Sequence, residues 1–88
     1  MIDRPGKIVC VGRNYSEHAK ELGNEVPKEP LLFLKPPSSV VRDGEAVVLP
    51  PQSTQVEHEG EIGVVLGTRL SNASPEEAAN SIRGVCAL

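Results

Sequence analysis

Three glutamates at alternate positions, Glu57, Glu59 and Glu61, are the densest group of chemically competent side chains in this sequence. They sit in Val56-Glu57-His58-Glu59-Gly60-Glu61-Ile62-Gly63, and an extended backbone sends alternate side chains to the same side. Read as a strand, the segment gathers the carboxylates on one face. Val56, His58, Gly60, Ile62, Val64 and Leu66 fall on the other, which is predicted to pack on a core. Like charges so placed repel one another unless water or a cation compensates. A hard divalent ion such as Mg²⁺ does so, because it prefers oxygen and takes one or two carboxylates together with water and substrate oxygens. The plain alternative is a solvated strand face. Against it stand the poor strand propensity of Glu and the presence of Gly60 and Gly63, which suit a place where a ligand or another backbone comes close.

His18 and Glu21 form a second candidate unit. Three apart on a helix, they are surface neighbours, and a carboxylate beside an imidazole fixes its tautomer and raises its basicity, giving a group able to activate water near neutral pH. The same pair on an exposed helix commonly has no role. Lys35 closes an apolar run just before Pro36; it is either a solvated strand-end lysine or a cation aimed at an anionic substrate.

The elements that must hold these residues are short. Lys7 to Val11 reads as a β-strand that ends at Gly12. Asn14 as N-cap, the Tyr15/Ala19/Leu22 stripe and Gly23 as C-cap predict a helix over 14–22 that carries His18 and Glu21. Asn24 to Pro30 is a polar, proline-bearing connection, expected to be mobile. Leu31 to Lys35 is a second strand, Arg42-Asp43-Gly44-Glu45 has turn chemistry, and Ala46 to Leu49 is a third strand stopped by Pro50-Pro51. Gln55 to Gly67 is the longest extended candidate. Ser74-Pro75-Glu76-Glu77 combines an N-cap, a proline at the first helical position and a capping-box glutamate, predicting a helix from Pro75 to about Ser81. Ile82 to Leu88 is a further apolar run with no terminator, from which the natural protein is expected to continue.

With 88 residues, 39% of them hydrophobic and only Tyr15 and Phe33 aromatic, the chain makes at most one domain, whose thin core rests on Val, Leu, Ile and Ala. That composition favours a mainly β (α+β) fold with short helices. The net charge of −3 and the scatter of nine basic residues supply no electropositive stripe, which argues against nucleic acid as a partner. No apolar run approaches the roughly 20 residues that span a bilayer, and the first residues lack the apolar stretch of a signal peptide; no membrane partner and a cytoplasmic location are expected. Cys10 and Cys86 have no second Cys or His at a zinc-ligand spacing and are expected to be buried free thiols.

Three motifs occur in order: Cys10-Val11-Gly12-Arg13-Asn14-Tyr15 with His18 and Glu21; Leu32-Phe33-Leu34-Lys35-Pro36; and Glu59-Gly60-Glu61-Ile62-Gly63-Val64-Val65-Leu66-Gly67. Together they resemble the fumarylacetoacetate hydrolase family, in the branch of acylpyruvate hydrolases and oxaloacetate decarboxylases, from about Lys7 to Leu88. The resemblance implies that Glu59 and Glu61 are metal ligands, that His18 and Glu21 are the catalytic water-activating pair, and that Lys35, with Arg13, binds substrate. Glu57 matches no ligand of the family. A third ligand, an Asp, would come from just beyond Leu88, so residues 1–88 are expected to be the N-terminal portion of a single catalytic domain that is incomplete here. The implied cofactor is Mg²⁺, alternatively Mn²⁺ or Ca²⁺. The implied partners are a small 2-oxo acid and a second copy in a homodimer. The implied activity is hydrolysis of a carbon–carbon bond in acylpyruvate (1,3-dicarbonyl) substrates, with the metal stabilising enolate charge. Alternatives are an oxaloacetate decarboxylase or isomerase of the same family, or a non-catalytic truncated chain.

Overall fold

The computed structural model describes residues 4–13 and 28–88. The helix predicted over 14–22, with His18 and Glu21, and the first part of the connection after it lie outside the described residues. The chain divides into two compact units, Met1–Val48 and Leu49–Leu88.

In the first unit, β1 (Ile8–Gly12) and β2 (Leu31–Lys35) pair antiparallel, in register from Ile8 opposite Lys35 to Gly12 opposite Leu31. Both are runs of β-branched and large apolar residues, whose side chains fit a pleated surface. Gly12 belongs to β1 instead of ending it, and the turn falls on Arg13, whose φ of 55° lies in the left-handed region. After Pro36 the chain makes one 3₁₀ turn, Pro37–Ser39, with the Ser39 amide and hydroxyl both donating to the Pro36 carbonyl at 2.9 and 2.7 Å. The predicted turn forms at Arg42 to Glu45: the Glu45 amide donates to the Arg42 carbonyl at 3.0 Å, and Gly44 takes φ +86°.

The expected strand Ala46 to Leu49 is absent; that stretch has no ladder partner among the described residues, and Val47 and Val48 are 72% and 84% exposed. Its residues have the propensity for a strand, but propensity does not supply the neighbouring strand that a ladder needs, and Pro50-Pro51 removes two donors at its end.

In the second unit, β3 (Ile62–Leu66), the helix α1 (Pro75–Asn80) and β4 (Ile82–Ala87) follow in order, and β3 pairs antiparallel with β4 through a bulge at Val65/Leu66. The helix begins as its sequence predicts. Ser74 Oγ accepts a hydrogen bond from the Glu77 amide at 3.1 Å, Pro75 occupies the first turn, and Glu76 and Glu77 place negative charge at the positive end of the backbone dipoles. It ends one residue before the expected Ser81, which is its C-cap. The long extended run predicted over Gln55 to Gly67 contracts to β3, lengthened by one backbone pair: Glu61 and Leu88 exchange both amide-to-carbonyl bonds, at 3.0 and 2.8 Å.

No described residue is fully buried. A two-stranded ribbon without a covering layer has nowhere to put an enclosed core. The apolar face predicted to pack inward is therefore open within this unit: Ile62, Val64 and Leu66 are 69, 54 and 53% exposed, aligned with Ala87, Val85 and Ile82 across the ladder. Glu61, Gly63 and Val65 are the partly covered face. The same lack of a second layer corrects the expectation for the cysteines, which are free but not buried: Cys10 is half-buried and Cys86 exposed. The result is a mainly β arrangement with a short helix.

Candidate functional site

Glu61 is the best-anchored of the three acids. Its backbone is fixed by the pair with Leu88, and its side chain shares a face with Gly63 and Val65 and, across the ladder, with Cys86 and Leu88. Glu57 and Glu59 precede β3, and the register that sets Glu61 opposite Leu88 sets them opposite positions past residue 88, so within residues 1–88 the ladder takes in Glu61 alone of the three acids. Pro50-Pro51 starts a turn closed by the Ser53 amide on the Pro50 carbonyl at 3.4 Å, and Ser53 Oγ then engages the Gln55 backbone at 3.2 Å.

Glu57 differs chemically from the other two. Its carboxylate accepts a hydrogen bond from Gln55 Nε2 at 2.7 Å, which commits one oxygen. Neither Glu59 nor Glu61 has a side-chain hydrogen bond among the described residues. Two carboxylates, one exposed and one partly covered, keep all their oxygens available. Among the described residues no three His, Cys, Asp or Glu side chains converge as a metal site. The described chain thus offers a pair of hard oxygen donors, the number that Mg²⁺ takes from a protein when water and substrate complete its shell. Mn²⁺ suits the same donors, while Ca²⁺ asks for more of them.

Arg13 and Lys35 belong to the first unit. Arg13 follows the end of β1 and Lys35 closes β2 opposite Ile8, so they stand at opposite ends of the ribbon. The four residue steps from Leu31 to Lys35 separate them by about 13 Å of strand. The structure does not bring these two cations together at the backbone level. Lys35 is exposed at a strand end, and Arg13 holds a left-handed conformation that costs a non-glycine residue about 1 kcal/mol or more. The cleft described in this unit, of about 370 Å³, is lined by Arg4, Pro37, Val40, Arg42 and Glu45 and includes none of the candidate residues. Sequence reading passed over Arg4 and Arg42 because 38 positions separate them and no local pattern pairs them. His18 and Glu21 lie outside the described residues.

A short-stranded, mainly β scaffold thus carries a Glu-Gly-Glu pair whose carboxylates make no hydrogen bond among the described residues. Residues 7–88 match the family profile described as fumarylacetoacetate (FAA) hydrolase, C-terminal, and the chain belongs to the fumarylacetoacetate hydrolase family. Among its relatives, the mitochondrial oxaloacetate tautomerase of Caenorhabditis elegans is 47% identical over 78 residues, covering 89% of this chain and 36% of that protein. The mitochondrial oxaloacetate decarboxylase of Dictyostelium discoideum is 46% identical over 79 residues, again 89% of this chain and 36% of that protein. A crystal structure from Oleispira antarctica, described provisionally as a fumarylacetoacetate isomerase/hydrolase, superposes with a TM-score of 0.83 at 52% identity over 91% of this chain and 36% of its own. The chain spans about a third of the length of these relatives.

Proposed function

We propose that this chain is part of a divalent-metal-dependent enzyme that enolises small 2-oxo acids, with oxaloacetate tautomerisation as its reaction. The observation that carries the reading is the Glu59-Gly60-Glu61 pair, with both carboxylates unengaged, in a chain 45–47% identical to oxaloacetate tautomerases of three organisms. Glu59 and Glu61 would hold Mg²⁺, or Mn²⁺ in its place. The ion, when bound, would withdraw electron density from the 2-oxo oxygen and stabilise the charge that develops there. Lys35 or Arg13 would pair with a substrate carboxylate, each from its own end of the ribbon. His18, with Glu21 orienting its ring, would carry the proton from carbon 3 towards oxygen 2 and back. No bond between heavy atoms breaks in this reaction, and the proton alone changes place.

The name of the Dictyostelium relative favours a second reading, decarboxylation of the same substrate, in which the enolate forms by loss of CO₂. Hydrolysis of acylpyruvates is the third, and there His18 would deprotonate water instead of carbon. The experiment is a product assay on the complete protein with oxaloacetate and a set of acylpyruvates, with Mg²⁺ and with a chelator. Chelator-sensitive interconversion of enol and keto oxaloacetate, faster than CO₂ release, is expected. A protein that turns over none of these substrates, or does so equally in chelator, refutes the proposal. Persistence of acylpyruvate cleavage in His18→Ala would remove the water-activating role.

A further inference from the structure

Gly63 lies two residues past Glu61 on the same face of β3 and pairs with Cys86 on β4. The space above it is taken. A methyl group there would stand 2.9 Å from Cys86 Sγ, 3.0 Å from Leu88 Cδ1 and 3.3 Å from Leu88 Cγ, all inside the roughly 3.5 Å at which nonbonded heavy atoms attract. Leu88 is also the residue whose backbone accepts from and donates to Glu61, at 3.0 and 2.8 Å. One residue therefore fixes the Glu61 backbone and rests its side chain in the space that Gly63 leaves open. Glycine inside a strand weakens it and marks close approach of another group. Here the approaching group is the clamp on the candidate ligand.

We infer that Gly63 is a positioning residue for Glu61: its missing side chain lets Cys86 and Leu88 fold over the strand, and that packing sets the Leu88–Glu61 backbone pair from which the carboxylate projects. The inference rests on the reading of Glu59 and Glu61 as metal ligands. Any side chain at position 63 must push the Cys86 sulfur and the tip of the exposed Leu88 side chain aside, and whatever part of that displacement reaches the Leu88 main chain moves Glu61 with it. Mg²⁺ is a sensitive reporter of such a shift, because it requires near-octahedral geometry with oxygens at about 2.0–2.1 Å.

The test is Mg²⁺ affinity, measured by titration calorimetry on the complete protein, for wild type, Gly63→Ala, Cys86→Ala, the double variant Gly63→Ala/Cys86→Ala and Glu61→Gln. Gly63→Ala is expected to weaken Mg²⁺ about 10-fold or more, the scale on which residues that orient metal ligands act. Cys86→Ala, which removes part of the packing over Gly63, is expected to weaken Mg²⁺ less than Gly63→Ala does, and the double variant recovers only the part of the loss that the sulfur causes, since Leu88 Cδ1 still stands 3.0 Å from the new methyl. Wild-type affinity in Gly63→Ala beside a large loss in Glu61→Gln overturns this inference and leaves the metal site standing. Wild-type affinity in Glu61→Gln overturns both. Should Gly63→Ala fail to fold, the wild-type protein supplies the second readout, the rate of iodoacetamide alkylation at Cys86 followed by mass spectrometry. If the packing of Cys86 over Gly63 sets the metal affinity, then bound metal must in turn restrain Cys86. Slower alkylation in Mg²⁺ than in chelator supports the inference, and an equal rate overturns it.

Discussion

Replacing Glu61 with Gln separates the metal reading from the solvated-strand alternative. Glu61 takes part in folding through its backbone pair with Leu88, which Gln retains, and its carboxylate has no hydrogen-bond partner among the described residues. The substitution should therefore change the stability of the metal-free protein by no more than about 0.5 kcal/mol, with a small gain where repulsion from Glu59 is relieved. Metal affinity behaves differently. Losing an orienting partner of a ligand typically costs 10–100-fold, so losing one of two charged ligands is expected to cost about 100-fold or more. At a Mg²⁺ concentration of 100 times the wild-type Kd, binding stabilises the wild type by about 2.7 kcal/mol and a variant with 100-fold weaker affinity by about 0.4 kcal/mol. For a domain of the size of the relatives this is about 5–10 °C of Mg²⁺-dependent rise in Tm for the wild type and about 1–2 °C for Glu61→Gln. Thermal unfolding of the complete protein in Mg²⁺ and in chelator reads both numbers. A full Mg²⁺-dependent rise in the variant, or no rise in the wild type, refutes the assignment of Glu61 as a ligand. Glu57→Gln is the matched control: its carboxylate is held by Gln55 at 2.7 Å, and its Mg²⁺ response should equal that of the wild type.

Ser74→Ala removes the side-chain cap at the N-terminus of α1 and should cost about 1 kcal/mol in urea unfolding, while Ser74→Asp, which keeps an acceptor, should cost far less. Gly44→Ala forces a side chain into φ +86° at the Arg42–Glu45 turn and should destabilise by about 1 kcal/mol, detectable as a lower urea midpoint at unchanged slope. Arg13→Gly should leave stability equal or raise it by up to about 1 kcal/mol, because the left-handed φ of 55° no longer opposes a side chain. If Arg13 binds the substrate carboxylate, the same variant raises KM, and an unchanged KM removes that role.

Local chemistry was the legible part of this fold. Ser74-Pro75-Glu76-Glu77 fixes the start of α1 within the chain itself, and the turn at Arg42 to Glu45 needs no more than Gly44 to take a positive φ. The strands β1, β2 and β4 were read from largely apolar runs, and their bounds moved by one residue at most. Ala46 to Leu49 failed because a strand is defined by its partner, and four suitable residues contain no information about one. The extent of β3 failed for the same reason. Alternation from Gln55 to Gly67 is a property of the sequence, whereas the ladder reaches only as far as β4 and Leu88 can supply bonds. At the site, charge spacing picked out the acidic triplet but could not tell Glu57 from its neighbours, because the amide of Gln55 that occupies it is an ordinary loop residue.

The two faces of the β3–β4 ribbon explain how so short a strand could present Glu61 at the proposed metal site. Ile62, Val64 and Leu66 line up with Ala87, Val85 and Ile82 into one continuous apolar side, the type of surface that a sheet uses to anchor itself. Glu61, Gly63 and Val65, with Cys86 and Leu88, make the other. A one-residue slip in register would exchange these sides and set a carboxylate among aliphatic groups, where an unpaired charge is costly. The bulge at Val65/Leu66 absorbs an extra residue at the far end of the ladder from Glu61, so irregularity falls where the apolar side can accommodate it and the pairing around the acid stays regular. A bulge moved to Gly63 would rotate Glu61 off its face. Inserting one residue between Glu61 and Gly63 should therefore abolish the Mg²⁺-dependent rise in Tm even if the protein still folds, whereas one residue inserted after Gly67, beyond the ladder, should leave that rise intact.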